Sequence, residues 1–158
     1  MKEKLKVPIV TLEHFSYADA EEYYKIAKDF EIRKFFRFAY TAKERDANEL
    51  LDAWINSTNY EAFKILNERN KMVGAILLEK KPKKIMEVCY FIGNNYRRRG
   101  YCCAAIQEVI EYVKNTNYKT LEFCIACNNQ KSQNVMKRMN AYKKYVGKYI
   151  HYQIDLAK

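Results

Sequence analysis

Apolar residues recur at helical spacing twice near the start of this chain, and then at strand spacing through its middle. Lys6 to Leu12 is short, β-branched and apolar, and predicts a first strand. Ser16, with Asp19 three residues on, caps a helix over about 17–30 that turns Tyr23, Ile26, Ala27 and Phe30 inward. Thr41 with Glu44 makes a capping box for a second helix over about 42–55. Its buried stripe is Ala47, Leu50, Leu51, Trp54 and Ile55. An aromatic and basic stretch, Phe35 to Tyr40, joins the two.

Tyr60–Leu66, Met72–Leu78 and Ile85–Ile92 then predict three strands. Asn67-Glu68-Arg69-Asn70 separates the first two, and Lys80 to Lys84 with Pro82 the last two, which describes an antiparallel meander. After Arg97-Arg98-Arg99-Gly100 comes a helix that buries Cys103, Ile106, Val109, Ile110 and Val113. Thr120–Cys127 predicts a strand, Asn129–Asn140 a short basic helix and Tyr149–Leu156 a final strand, with one more near Tyr142–Val146. The fold class is α/β with a mostly antiparallel sheet. No period of 20–50 residues recurs.

The 158 residues fit one domain over 1–158, and 49% hydrophobic types with four glycines and two prolines exclude a disordered tail or fibrous repeat. No apolar run is long enough to cross a bilayer, and Met1-Lys2-Glu3-Lys4-Leu5-Lys6 has no secretion signal. Five cysteines, with Cys102 beside Cys103, suit a reducing compartment, so a cytoplasmic location is expected. The net charge of +10 is unevenly placed. Residues 1–79 carry 13 Lys/Arg against 14 Asp/Glu, net −1; residues 80–158 carry 16 against 5, net +11. That asymmetry predicts that the second half meets an anion: nucleic acid, a membrane surface or a phosphorylated small molecule.

Gly74, Gly93, Gly100 and Gly147 have neither P-loop nor Rossmann spacing. Gly100, however, follows a strand and opens a helix. Free N–H groups at a helix start favour an anion, and glycine lets it approach the main chain. At about 1.5–3 kcal/mol per charge-assisted bond, three or four such groups hold a diphosphate.

Strand Glu87-Val88-Cys89-Tyr90-Phe91-Ile92, then Asn94-Asn95-Tyr96, then Arg97-Arg98-Arg99-Gly100-Tyr101-Cys102 resembles the acetyl-CoA signature of the GNAT N-acetyltransferase superfamily, Gln/Arg-x-x-Gly-x-Gly/Ala. Asn129-Gln130-Lys131-Ser132 is similar to the Asn-x-x-Ser that opens that family's next helix. Ala18-Asp19-Ala20 and Met72-Val73-Gly74-Ala75-Ile76 resemble the RimJ/RimL branch, whose members acetylate N-terminal amines of ribosomal proteins and, in many relatives, other amines. Two positions depart from the pattern: Cys102 stands where the family has Gly or Ala, and Asn140-Ala141 replaces Gly-Phe.

The resemblance implies a mixed sheet of six to seven strands flanked by about four helices. Two strands splay, and the pantetheine of acetyl-CoA lies between them as a false strand. It implies that Tyr90, Phe91 and Ile92 supply main-chain groups to the pantetheine and thioester, with an N–H near Phe91 polarising the carbonyl. It further implies that Arg97, Arg98, Arg99, Gly100, Tyr101, Cys102 and Cys103 form the diphosphate loop, and that Asn129 holds the pantetheine arm. Glu87 is the candidate general base, acting through water, and Ser132 the candidate donor to the departing thiolate. In some relatives a tyrosine further along that helix donates; the aligned residue here is Met136. The implied partners are acetyl-CoA and an amine acceptor, either a peptide N-terminus or a small molecule, without a membrane. Monomer and homodimer stay open. At pH 7 an α-amine costs about 1 kcal/mol to deprotonate and a lysine about 4.6, so only the latter requires a strong base.

Plainer readings stand beside these. Ser132 also fits a helix cap, and Phe35–Tyr40 fits either core or an acceptor-lining loop. No metal site is expected: Cys124-x-x-Cys127 lies in a strand where positions three apart face opposite sides, and His14 and His151 do not complete one. The alternative function is a non-catalytic module of the same fold that binds RNA or a ribosomal surface through Lys143-Lys144-Tyr145 and Lys148-Tyr149.

Overall fold

The structure, a computed structural model, describes residues 8–156. Seven strands form one sheet in the order β1-β2-β3-β4-β5-β7-β6. They are β1 (Thr11–His14), β2 (Tyr60–Leu66), β3 (Met72–Lys81), β4 (Ile85–Ile92), β5 (Thr120–Ala126), β6 (Tyr142–Val146) and β7 (Tyr149–Asp155). Every neighbouring pair is antiparallel except β4–β5, which is parallel. Five α-helices flank the sheet: α1 (Ala20–Ala27), α2 (Phe30–Phe35), α3 (Glu44–Ile55), α4 (Tyr101–Lys114) and α5 (Gln130–Arg138).

The expected meander is present, and β2 and β4 have the predicted limits. The first strand is shifted to Thr11–His14, and the predicted Lys6 and Val7 lie outside the described residues. The first predicted helix is two helices. Asp29 has extended backbone and its side chain accepts from the Ile32 N–H at 3.0 Å, so it caps α2 and breaks the chain there. Phe30, expected inside, is therefore 73% exposed, whereas Tyr23 and Ala27 are fully buried. The cap of α3 also moves: Lys43 N–H donates to Asp46 at 3.0 Å, and Thr41 is buried instead.

Two cores lie on opposite faces of the sheet. One packs α4 against even-numbered β4 side chains, including Val88 and Tyr90, with Phe123 of β5 and Met136 of α5. The other packs α1–α3 against β2, β3 and the odd-numbered Phe91 and Cys89. No β5, β6 or β7 residue belongs to this second core, and Glu122, Cys124 and His151 lie on that face.

Asn140, where the resemblance expects glycine, has φ 57, a left-handed conformation that asparagine tolerates. The Ala141 N–H donates to Met136 O at 3.0 Å, which closes α5 before β6 begins.

Candidate active site

β4 and β5 are paired only at Ile85↔Thr120, Met86↔Leu121 and Glu87↔Glu122. Beyond that the ladder stops, although β4 continues to Ile92 and β5 to Ala126. Each strand is held straight by its other neighbour: β4 pairs with β3 as far as Gly74↔Ile92, and β5 with β7 as far as Ala126↔Tyr149. The result is a cleft with main-chain walls.

Strand parity decides which groups face it. Gly93 N–H donates to Val73 O at 2.7 Å, in line with the β3–β4 register. Peptide groups alternate in direction along a strand, so Phe91 turns its N–H to β3, and Tyr90 and Ile92 turn theirs to the cleft. The cleft-facing N–H groups nearest Phe91 are thus those of its two neighbours. The Ile92 carbonyl is already used, accepting from Arg97 Nε at 3.0 Å. The Tyr90 side chain is buried, and its hydroxyl lies near Ser132 and Cys102 without a hydrogen-bond partner. Burial pushes that phenol well above its ordinary pKa.

The cleft opens beside the start of α4. Gly100 caps this helix with φ 83, and Arg98 also has a positive φ, 63. A side chain at Gly100 would be strained and would bring its Cβ to 3.1 Å from Pro8. The first turn, Tyr101 to Cys103, has no side-chain cap. Burial pushes the Cys102 thiol pKa upward, so the small residue that replaces Gly or Ala stays neutral.

The three arginines divide. Arg98 and Arg99 are exposed and make no ion pair among the described residues. Arg97 is committed inward, to Asp29 at 3.3 Å, to Glu31 and to Asn94 at 3.1 Å. Glu31 also takes Lys131 Nζ at 3.0 Å, so α2 is tied to the α4 side of the cleft through Arg97 and to α5 through Lys131. These cations, Lys131 first, hold the Glu31 carboxyl below its usual range. On the far wall Asn129 caps α5, its Oδ1 accepting from Ser132 N–H at 3.3 Å, and both residues are buried. The capping reading of this pair therefore falls on Asn129, which keeps its amide N–H groups as donors.

At the closed end of the cleft the groups are side chains. Glu87 accepts from Cys124 Sγ at 3.1 Å and lies 3.7 Å from Lys81. Cys124 Sγ is 3.3 Å from His151 Nδ1, which is 3.8 Å from Glu122. Burial, and then Glu87, push the Cys124 thiol upward. Cys127, the other half of the Cys-x-x-Cys, is exposed and reaches Lys148 O at 3.7 Å. His151, which was not expected to complete a metal site, stands beside Cys124: the cross-strand pairing Cys124↔His151 brings the two together across 27 positions. That Cys124, Glu122 and His151 meet was not foreseen, because the β5–β7 register is invisible before the sheet is known.

The same face carries a cavity of about 420 Å³ lined by Phe38, Trp54, Leu77, Glu79 and Cys89 among others. Within the stretch Phe35–Tyr40, Ala39 is buried core and Phe38 lines the cavity.

A sheet split after a parallel pair, with a helix start free of any side-chain cap at its mouth, is an architecture suited to acyl transfer from a coenzyme. The family model for the acetyltransferase (GNAT) domain matches residues 10–141, and the chain belongs to that family. Its fold is similar to an acetyltransferase (GNAT family) from Bacillus anthracis, with 17% identity, 96% of this chain and 98% of that one covered, and a TM-score of 0.81. It is also similar to spermidine N-acetyltransferase from Vibrio cholerae in complex with CoA and spermine, with 13% identity, 93% and 95% covered, and a TM-score of 0.78. A domain from Methanocaldococcus jannaschii matches with 19% identity, 94% and 99% covered, and a TM-score of 0.78. No curated protein matches the sequence. Among the described residues no helix is long and apolar enough to cross a membrane.

Proposed function

We propose that this acetyltransferase takes acetyl-CoA as co-substrate and moves the acetyl group directly to a primary amine. The observation that carries the reading is the end of the β4–β5 ladder at Glu87↔Glu122, which leaves the facing edges of both strands unpaired on the way to the α4 N-terminus. The partnerless Tyr90 hydroxyl fits an occupant there. Acetyl-CoA supplies the activated thioester; the chain supplies position and proton traffic.

The Tyr90 and Ile92 N–H groups act as donors to the pantetheine and the thioester oxygen. Losing such a donor costs about 2.7–4 kcal/mol in other enzymes. The N–H groups of Tyr101, Cys102 and Cys103 hold the diphosphate, with Arg98 and Arg99 adding attraction. Arg97 positions the loop instead of binding phosphate, because its guanidinium is filled by Asp29, Glu31 and Asn94. The Asn129 amide faces the pantetheine arm. On the opposite side Glu87 accepts the amine proton through water, the amine nitrogen bonds to the acetyl carbon as the carbon–sulfur bond breaks, and Ser132 protonates the departing thiolate.

Acetyl-CoA at a hundredfold excess over Kd should raise Tm by roughly 5–10 °C, and Arg98→Glu should shrink that shift. A screen of amines that follows released free thiol identifies the acceptor. The fully exposed stretch 142–149, with Lys143, Lys144 and Lys148, favours a second reading as an RNA-binding surface. That reading expects steeply salt-dependent RNA binding and no response to acetyl-CoA.

A further inference from the structure

We propose that Glu122, Cys124 and His151 form a binding site for a transition-metal ion of the Zn²⁺ class. One donor atom from each lies within 4.8 Å of the others. Thiolate, imidazole and carboxylate together are the donor set that such ions select.

The sheet fixes these positions. Glu122 and Cys124 stand two apart on β5 and so share a face, and His151 is directly opposite Cys124 on β7. Tetrahedral coordination at bond lengths of about 2.0–2.3 Å requires ligand atoms about 3.3–3.8 Å apart. Cys124 Sγ to His151 Nδ1 is 3.3 Å, and His151 Nδ1 to Glu122 Oε2 is 3.8 Å. Two edges of the tetrahedron are therefore preset.

The ligands are themselves held. Gln153 donates to the other Glu122 oxygen at 2.8 Å, and Tyr142 donates to Gln153 at 3.0 Å. The His151 ring is stacked on Tyr145 with centroids 4.0 Å apart. Outer-sphere partners of this kind orient metal ligands. Glu87, 3.1 Å from Cys124 Sγ, adds negative charge beside the cluster. Metal binding forms the sulfur–metal bond and releases the thiol proton to solvent.

The test is independent of acetyl transfer. The full chain is titrated with CoCl₂ alone, followed by ZnCl₂. One equivalent of Co²⁺ should produce a thiolate charge-transfer band, and Zn²⁺ should displace it. Cys124→Ser should abolish the band, and His151→Ala and Glu122→Gln should each weaken Zn²⁺ binding by about tenfold or more by calorimetry. Cys127→Ser and Cys103→Ser should leave both readouts unchanged. Metal-free melting of each variant confirms that it is folded. Absence of the cobalt band, its survival in Cys124→Ser, or equal Zn²⁺ affinity in wild type and His151→Ala would overturn the assignment.

Discussion

At the open end of the β4–β5 pair the groups offered to a ligand belong to the main chain: the peptide edges of Tyr90 and Ile92 and the first turn of α4. At the closed end they are side chains: Glu87, Glu122, Cys124 and His151. The first kind of site depends on register and φ, which many sequences supply. The second depends on particular residues brought together from β4, β5 and β7. One pair of strands thus carries two kinds of surface: main-chain edges suited to the coenzyme arm proposed above, and a side-chain cluster suited to the proposed base and metal ligands.

The largest effect should come from disturbing the open end's register. A Cβ at Gly74 would lie 2.2 Å from Phe91 O, a backbone atom that cannot step aside without moving β4. Gly74→Ala should cost about 3 kcal/mol and lower Tm by roughly 6–12 °C, with loss of the acetyl-CoA shift. An unchanged Tm would show that the close approach of β3 to β4 does not matter.

At the closed end, Glu87→Gln should lower turnover by about a hundredfold and leave acetyl-CoA affinity unaltered. Equal rates for the two proteins from pH 6 to 9 would remove Glu87 from the proton path.

Neighbouring arginines sharpen the contrast further. Arg97→Ala leaves Asp29 and Glu31 without their half-buried partner and should cost about 1–2 kcal/mol in denaturant melts. Arg98→Ala should be neutral for stability but weaken acetyl-CoA about tenfold. The reverse pattern would exchange their roles.

The smallest effect is one of pH. Lys131 and Arg97 lower the folded-state pKa of Glu31, so its contribution is fully present above the unfolded carboxylate pKa of about 4.3. It is lost as pH falls through the lowered folded value. The Tm gap between wild type and Glu31→Gln should therefore be constant near neutrality and close in acid; a gap that widens in acid would contradict the sign.

The main-chain end was legible in the sequence because its parts are local. Period-two runs bounded by turns set β2 and β4, and Gly100 between a strand and a helix marked the loop. Which N–H near Phe91 faces the gap could not be read from the sequence, since only the β3 hydrogen bonds reveal which way each peptide faces. Phe30 was misplaced because helical spacing continues across Asp29 even though its side chain starts a new helix. The side-chain end was mostly illegible. Glu87 was named from its place in the motif, but Cys124, His151 and Glu122 meet only through the β5–β7 register. β6 lies where a strand near Tyr142–Val146 was expected, although all five of its residues are exposed.

Site-resolved amide hydrogen exchange with saturating acetyl-CoA is the most direct measurement. The Tyr90 and Ile92 amides, with those of Cys102 and Cys103, should become protected, while Phe91, already bonded to β3, should not change. Acetyl-CoA binding that leaves Tyr90 and Ile92 exchanging as in the free protein would mean that the gap between β4 and β5 is not where the coenzyme lies.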